Sequence, residues 1–255
     1  MLIHAFPVNA RMWERQLALA DGGWRIIAPQ LRGFDVSRAT LDAPASRDTG
    51  DQNPGALSVA DYAGDVIDLL DALHVQEAVI GGLSMGGYIA FALLRHAARY
   101  VQGLVLADTR PQADTPEGIE SRKKLLALLR EKGVRAVADE MLPKLLAEET
   151  RQRRPEIVDR VRALVLANPP EAIAGAISAL MSRPDSTPLL GNIHCPSLII
   201  VGEHDGITPP AVSEAMNRAI AGSELVVLPH AGHLSNVEQP DAFNAALARF
   251  LSHRL

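Results

Sequence analysis

The chain has 255 residues, of which 47% are hydrophobic and 22% charged, and its formal net charge is −5. This composition excludes a fibrous, coiled-coil or wholly disordered protein, and a chain of this length buries roughly 70–75% of its surface on folding. The acidic balance argues against nucleic-acid binding, which requires a basic face. The single cysteine, Cys195, excludes an intramolecular disulfide.

Short apolar runs alternate with helical patterns along most of the chain. Strand-like runs cover 25–29, 78–82, 103–107, 197–202 and 224–228, and helical spacing covers 57–73, 86–98, 210–221 and 240–253. Buried strands joined by helices predict an α/β fold with a mostly parallel, doubly wound sheet covered on both faces. Residues 42–56 are rich in Asp, Pro, Ser and Gly, and this composition predicts a loop.

Residues 116–181 interrupt this alternation because they contain no strand pattern. Four helices are predicted, over 117–132, 134–147, 155–167 and 170–181, with prolines limiting their ends. The block lies between two predicted strands of the sheet. We therefore predict a helical cap over 111–187, inserted into a core formed by 1–110 and 188–255.

No apolar stretch of about 18 residues is present, so no membrane-spanning helix is expected. The first seven residues, MLIHAFP, lack the basic and long apolar regions of a signal peptide. These observations predict a soluble, cytoplasmic protein without a membrane partner.

The segment 82–86 reads Gly-Leu-Ser-Met-Gly and follows an apolar strand pattern directly. A helix pattern follows it, which is the context of a nucleophile elbow, where a tight turn raises the serine hydroxyl above the sheet. Ser84 is therefore the candidate nucleophile. A phosphate-binding role is not predicted, because the segment has neither a Lys-Ser/Thr pair nor the Gly-x-Gly-x-x-Gly spacing.

A serine hydroxyl needs a base, and after such an elbow an acid and then a histidine follow in chain order. Asp205 and His233 each follow a predicted strand, so both are expected at the carboxyl edge of the sheet. Asp108 and Glu203 remain alternatives for the acid. His230 remains an alternative for the base.

The oxyanion of a tetrahedral intermediate is expected to meet two backbone N–H groups. One is that of Met85, the residue after the nucleophile, and the other is that of Phe6 in the early His4-Ala5-Phe6-Pro7 segment. No cluster of His, Cys, Asp and Glu has the spacing of a metal site. We therefore expect no metal or other cofactor.

These segments together resemble the α/β-hydrolase fold superfamily over essentially the whole chain. The segment 4–7 with Trp13 resembles the oxyanion motif of that family, and the segment 31–34 resembles its Asp-x-Arg-Gly-x-Gly motif. The triad motifs of the family resemble the segments 82–86, 202–205 and 232–233. The runs 81–91 and 106–110 are similar to a branch of bacterial carboxylesterases near the 3-oxoadipate enol-lactonases.

The chain also departs from the family pattern. Ala5 replaces a glycine, and Gln30 and Asp35 replace the Asp and the second Gly of the second motif. The family usually carries two strands before the oxyanion motif, whereas only three residues precede this motif here, so either the chain was shortened or those two strands are absent. If they are absent, the strand 25–29 becomes an exposed sheet edge, which either pairs with a second copy of the chain to form a homo-oligomer or is covered by a rearranged segment.

The resemblance implies a serine carboxylesterase that acts on a small-molecule ester with a small to medium acyl group. Alternatives are an enol-lactone hydrolase, a lyase or perhydrolase using the same triad, and a non-catalytic ligand-sensing relative. The candidate pocket residues are mainly apolar cap positions and neighbours of the nucleophile: Trp13, Leu83, Met141, Leu145, Leu180 and Met181.

Overall fold

A five-stranded parallel sheet forms the centre of the protein, in a computed structural model that describes residues 1–34 and 57–254. The strands lie in the order in which they occur along the chain: β1 (Leu2–Ile3), β2 (Ala78–Leu83), β3 (Val101–Ala107), β4 (Ser197–Gly202) and β5 (Glu224–Leu228). Every neighbouring pair is parallel, so all five carboxyl ends meet at one edge of the sheet.

Helices cover both faces of this sheet, as the sequence predicts. The core helices are α1 (Val59–Ala72), α2 (Met85–Ala97), α7 (Pro210–Ala219), α8 (Ser235–Glu238) and α9 (Pro240–Arg254). Along β3, Leu104 and Leu106 join the apolar cluster under α1, α2 and α7, whereas Val105 and Ala107 join the cluster under α9. This alternation is the period-two pattern of a strand buried on both faces.

Four helices lie between β3 and β4: α3 (Pro116–Leu145), α4 (Glu148–Arg153), α5 (Pro155–Leu166) and α6 (Pro170–Ser182). We call these four helices the cap. The sequence predicts two helices where α3 runs, and the chain does break there, because Gly133 has a φ of 74°. A left-handed residue of this kind interrupts a helix, and glycine adopts it without steric cost.

The strand predicted at 25–29 is not formed. One backbone hydrogen bond, from the N–H of Leu2 to the carbonyl of Ile27 (2.7 Å), joins this segment to β1. The neighbouring Pro29 has no N–H to extend a ladder, and β1 itself has only two residues. Ile27 and Pro29 are half-buried. The predicted homo-oligomer through this edge stays a prediction.

Further segments complete the fold. Short 3-10 helices cover Ala10–Gly22, Ala98–Tyr100 and Thr187–Asn192. The predicted loop 42–56 and Asp35 lie outside the described residues.

In the described part of the chain, no single helix is long and apolar enough to cross a membrane. The helices α5 and α6 pass that test only as a pair, bent by 91°.

Candidate active site

Ser84 lies on a tight turn between β2 and α2, at the carboxyl edge of the sheet. Its φ of 54° and ψ of −110° place it in the left-handed half of the φ range, which is rare for a residue other than glycine. The flanking glycines make this turn possible. A Cβ on Gly82 would lie 2.1 Å from the carbonyl carbon of Gly86, and one on Gly86 would lie 2.1 Å from the carbonyl oxygen of Ile3. Ser84 retains 8% of its surface exposed.

His233 lies in the loop between β5 and α8 and contacts both of its predicted partners. Its Nε2 is 2.8 Å from the Oγ of Ser84, and its Nδ1 is 2.8 Å from the Oδ2 of Asp205. A carboxylate only accepts hydrogen bonds, so Nδ1 carries the proton and Nε2 is left to accept from the serine hydroxyl. The imidazole is buried.

Asp205 follows β4, and its carboxylate is held by several donors. Its Oδ1 accepts from the backbone N–H groups of Ile207 (2.8 Å) and Thr208 (2.9 Å), and its Oδ2 also accepts from the hydroxyl of Thr208 (2.5 Å). Burial by itself raises the pKa of Asp205, but the charge of His233 and the hydrogen bonds outweigh it, so the net pKa is lowered. The carboxylate therefore stays ionised beside the imidazole.

The alternative acids and the alternative base make other contacts. Asp108 is fully buried, and it accepts from the N–H of Gly202 (2.8 Å) and from the hydroxyl of Ser235. Burial, followed by the charge of Asp205, raises the pKa of Asp108 well above its ordinary value. Glu203 accepts from the N–H of His230 (3.2 Å) at the surface. The imidazole of His230 is two-thirds exposed and pairs with Glu149.

The loop after β1 carries the predicted oxyanion donor Phe6, and the neighbouring His4 fixes this loop. The Nδ1 of His4 lies 3.0 Å from the carbonyl of Ala5, and its Nε2 accepts from the N–H of Leu31 (3.3 Å). Burial lowers the pKa of His4 to about 4, so the ring is neutral at pH 7. In the described part of the chain, no backbone acceptor takes the N–H of Phe6, or of Met85, the first residue of α2.

The cap also contacts this loop. The side-chain amide of Asn168, just after α5, donates to the carbonyl of Pro7 (2.8 Å). Its carbonyl oxygen accepts from the amide of Asn9 (3.2 Å). Both asparagines are buried. The sequence gives no local signal for this contact, because the partners are separated by about 160 positions.

The predicted pocket residues divide between the two apolar clusters of the core. Trp13 packs against the ring of Phe243 with centroids 5.8 Å apart. Leu83 and Leu145 belong to the same cluster as Trp13, and Leu180 belongs to the cluster under α2. Met141 and Met181 are half-buried, so they are the most accessible of the six. Lining of a substrate pocket by these residues stays a prediction.

Sequence reasoning missed Thr208, which donates two of the hydrogen bonds to Asp205. A local signal exists, since an Asp side chain commonly accepts the backbone N–H two residues further on, which here is that of Ile207, the neighbour of Thr208. Within residues 1–34 and 57–254, no three His, Cys, Asp or Glu side chains lie close enough together to hold a metal ion.

Known proteins share this architecture. A model of the alpha/beta hydrolase fold family matches residues 1–240. The chain superposes on a thermophilic esterase from Thermogutta terrifontis with malate bound, with a TM-score of 0.88 and 38% identity, covering 98% of this chain and 88% of that one. The chain also superposes on the enol-lactonase from Burkholderia xenovorans LB400, with a TM-score of 0.85 and 28% identity. This match covers 99% of this chain and 90% of that one.

Among known sequences, 3-oxoadipate enol-lactonase 2 of Acinetobacter baylyi is 29% identical over 244 residues, which is 96% of this chain and 85% of that protein. The chain belongs to the α/β-hydrolase fold family, and it is a hydrolase that lies near the enol-lactonases within it. The resemblance inferred from the motifs and the predicted fold class are thereby confirmed.

Proposed function

We propose that the protein is a serine carboxylesterase that hydrolyses small to medium acyl esters through an acyl-enzyme. The observation that carries this proposal is the continuous hydrogen-bonded chain from Ser84 Oγ through His233 to Asp205, with both contacts at 2.8 Å. A serine hydroxyl is a weak nucleophile until a neighbouring base removes its proton. This chain supplies the base and an ionised group that holds the base in the required tautomer.

In the first half of the reaction, Ser84 Oγ attacks the ester carbonyl carbon while Nε2 of His233 takes the hydroxyl proton. The carbonyl oxygen becomes an oxyanion, which the N–H groups of Phe6 and Met85 receive. When this intermediate collapses, the bond to the alkoxy oxygen breaks. His233 returns its proton to that oxygen, so that the alcohol leaves and an acyl group remains on Ser84.

In the second half, water attacks the acyl carbon and gives a proton to His233. The second tetrahedral intermediate collapses, the proton returns to Ser84 Oγ, and the carboxylic acid is released. Throughout, Asp205 remains ionised and stabilises the imidazolium that forms twice in each cycle. Its lowered pKa is consistent with this role.

The first experiment is hydrolysis of p-nitrophenyl esters from acetate to decanoate by the wild type and by Ser84→Ala. We expect turnover with an optimum at short to medium acyl length. In Ser84→Ala it should fall by about 10⁶-fold, the scale seen when such a nucleophile is removed. An unchanged rate in Ser84→Ala, or no turnover by a folded wild type, would refute the esterase proposal.

The relatives named as enol-lactonases favour a second candidate, hydrolysis of an enol-lactone. The same residues would open the ring, with the leaving oxygen tethered to the acyl group. A kcat/KM higher for an enol-lactone than for every linear ester would favour this candidate.

A ligand-sensing relative without catalysis is the third reading. A fluorophosphonate probe separates it from both enzymes, because covalent labelling of Ser84 requires an activated serine. Labelling that is absent from the folded wild type would support the sensing reading.

A further inference from the structure

Glu238 is fully buried at the end of α8, between the loop that carries His233 and the cap. Its Oε1 accepts from the N–H of Gly232 (2.7 Å), and its Oε2 accepts from the N–H of Ala147 (2.9 Å), between α3 and α4. The side chain of Thr150, on α4, interacts with the same carboxylate and lowers its pKa. A single side chain thus joins the residue before His233 to the cap.

The residue after His233 is joined to the cap as well. The N–H of Leu234 donates to the carbonyl of Leu145, the last residue of α3 (3.0 Å). His233 is therefore flanked on both sides by residues bonded to the cap, on one side directly and on the other through Glu238. The two segments are in close contact, since a Cβ on Gly232 would lie 2.5 Å from the backbone nitrogen of Ala147.

A carboxylate suits this position better than an amide. Two backbone N–H groups converge on the two oxygens of Glu238, one on each oxygen, and a carboxylate presents only acceptors. A glutamine would place its NH₂ group against one of the backbone N–H groups and leave a buried donor without a partner. Burial is the largest influence on the pKa of Glu238 and raises it. The donors and the charge of Arg154 oppose this shift.

We propose that Glu238 is a positioning residue. It links the position of the docked cap to the position of His233 relative to Ser84. Its catalytic consequence rests on the proposed function. The mechanism is geometric: Glu238 fixes the backbone at Gly232, so the next residue keeps its Nε2 2.8 Å from Ser84 Oγ. Displacement of a reacting group by about 1 Å costs on the order of 10²-fold in rate. If the cap detached from Glu238, His233 would therefore also be displaced from Ser84.

Two variants and a matched control test this role. Glu238→Gln keeps the volume and removes one acceptor. Thr150→Val removes only the hydroxyl on the cap side and leaves both backbone contacts, so it is the milder change. Glu140→Gln is the control, because it makes the same chemical change on the cap at an exposed side chain that pairs with Lys144. Folding of all three is verified by circular dichroism and thermal melting.

Two measurements report on His233. The rate of fluorophosphonate labelling of Ser84 depends on the base, and the ¹H NMR resonance of the His233 Nδ1 proton depends on its contact with Asp205. We expect Glu238→Gln to lower labelling and kcat/KM together by about 10- to 100-fold and to shift or broaden that resonance. We expect Thr150→Val to lower both rates about two- to fivefold, and Glu140→Gln to match the wild type.

The outcomes separate this proposal from the proposed function. If Glu238→Gln folds and keeps the wild-type labelling rate and the wild-type resonance, the positioning role of Glu238 is overturned. A loss of thermal stability with the resonance unchanged would also overturn it, since Glu238 would then be structural only. If Glu238→Gln does not fold, Thr150→Val decides the question by the same two measurements. If the wild type hydrolyses no ester, the esterase proposal fails. The resonance, which needs no substrate, still supports or overturns the role of Glu238.

Discussion

Acidification should destabilise the protein through His4, which is buried in neutral form. Its pKa is about 4 in the folded protein, against about 6.5 in an unfolded chain. Between these values the unfolded state binds more protons, so the free energy of unfolding falls as the pH falls. The pKa difference of about 2.5 corresponds to about 3.4 kcal/mol in full, of which about 3 kcal/mol is lost by pH 4, where His4 is half-protonated in the folded protein. Almost none of this loss is present at pH 7.

Urea denaturation of the wild type and of His4→Gln, at pH values from 7.5 to 4, measures this contribution. Both proteins share every other titrating group, including Asp108 and Glu238, whose raised pKa values act in the opposite direction. The difference between the two curves therefore isolates His4. We expect the stability gap between wild type and His4→Gln to narrow by about 3 kcal/mol from pH 7 to pH 4. A gap that is constant with pH would refute the reasoning.

If His4→Gln does not fold, NMR titration of the His4 imidazole in the wild type provides the same test. We expect its midpoint near pH 4, since burial is the main cause of the shift. A midpoint near 6.5 would contradict the structure of this loop.

Three further predictions concern the site and the core. Asp205→Asn should lower kcat by about 10³- to 10⁴-fold, because the imidazole loses its required tautomer. A larger loss in Asp108→Asn, with the same ester assay, would show that the acid is misassigned. Asn168→Ala should lower kcat about tenfold by releasing the carbonyl of Pro7 beside Phe6, the proposed oxyanion donor. A wild-type kcat would exclude this contact from catalysis. Leu145→Ala should cost about 2–5 kcal/mol in urea denaturation, because Leu145 is fully buried. A loss below 1 kcal/mol would contradict its packing.

Much of the sheet is predictable from local sequence, because its longer strands are apolar and joined by periodic helices. Ser197–Gly202 and Glu224–Leu228 form with the predicted bounds. The helix predicted at 57–73 forms over Val59–Ala72, where Ser58 and Asp61 cap each other's backbone N–H groups. In such segments local pattern and tertiary packing favour the same structure.

Other elements depend on long-range contacts that local pattern does not contain. The strand β1 has two residues, too few for any periodicity, and its strand geometry comes from pairing with Gly81 and Gly82. The segment 25–29 has a strand-like composition, yet one backbone hydrogen bond to β1 does not make it a strand. Propensity for β-structure is therefore a weak guide at the sheet edge, where a partner is missing.

The candidate site shows the same division between local and distant information. Ser84, Asp205 and His233 are recognisable because each follows a strand and so reaches the carboxyl edge of a parallel sheet. The residues that hold these groups are not recognisable in this way. Glu238 and Ala147 are 91 positions apart, and Asn168 and Pro7 are 161 apart. Such contacts depend on how the cap docks, and this docking has no short-range signature.

The two aspartates at this edge show why a position after a strand does not by itself define an acid. Asp108 follows β3 and Asp205 follows β4, and both are buried. Asp205 accepts two backbone N–H groups, the Thr208 hydroxyl and the His233 imidazole, so its charge is stabilised. Asp108 has two donors, and the charge of Asp205 opposes its ionisation. A carboxylate that supports a transient imidazolium must be ionised before the imidazolium forms. Electrostatics therefore favours Asp205 for this role, and the hydrogen bond to His233 is part of that stabilisation.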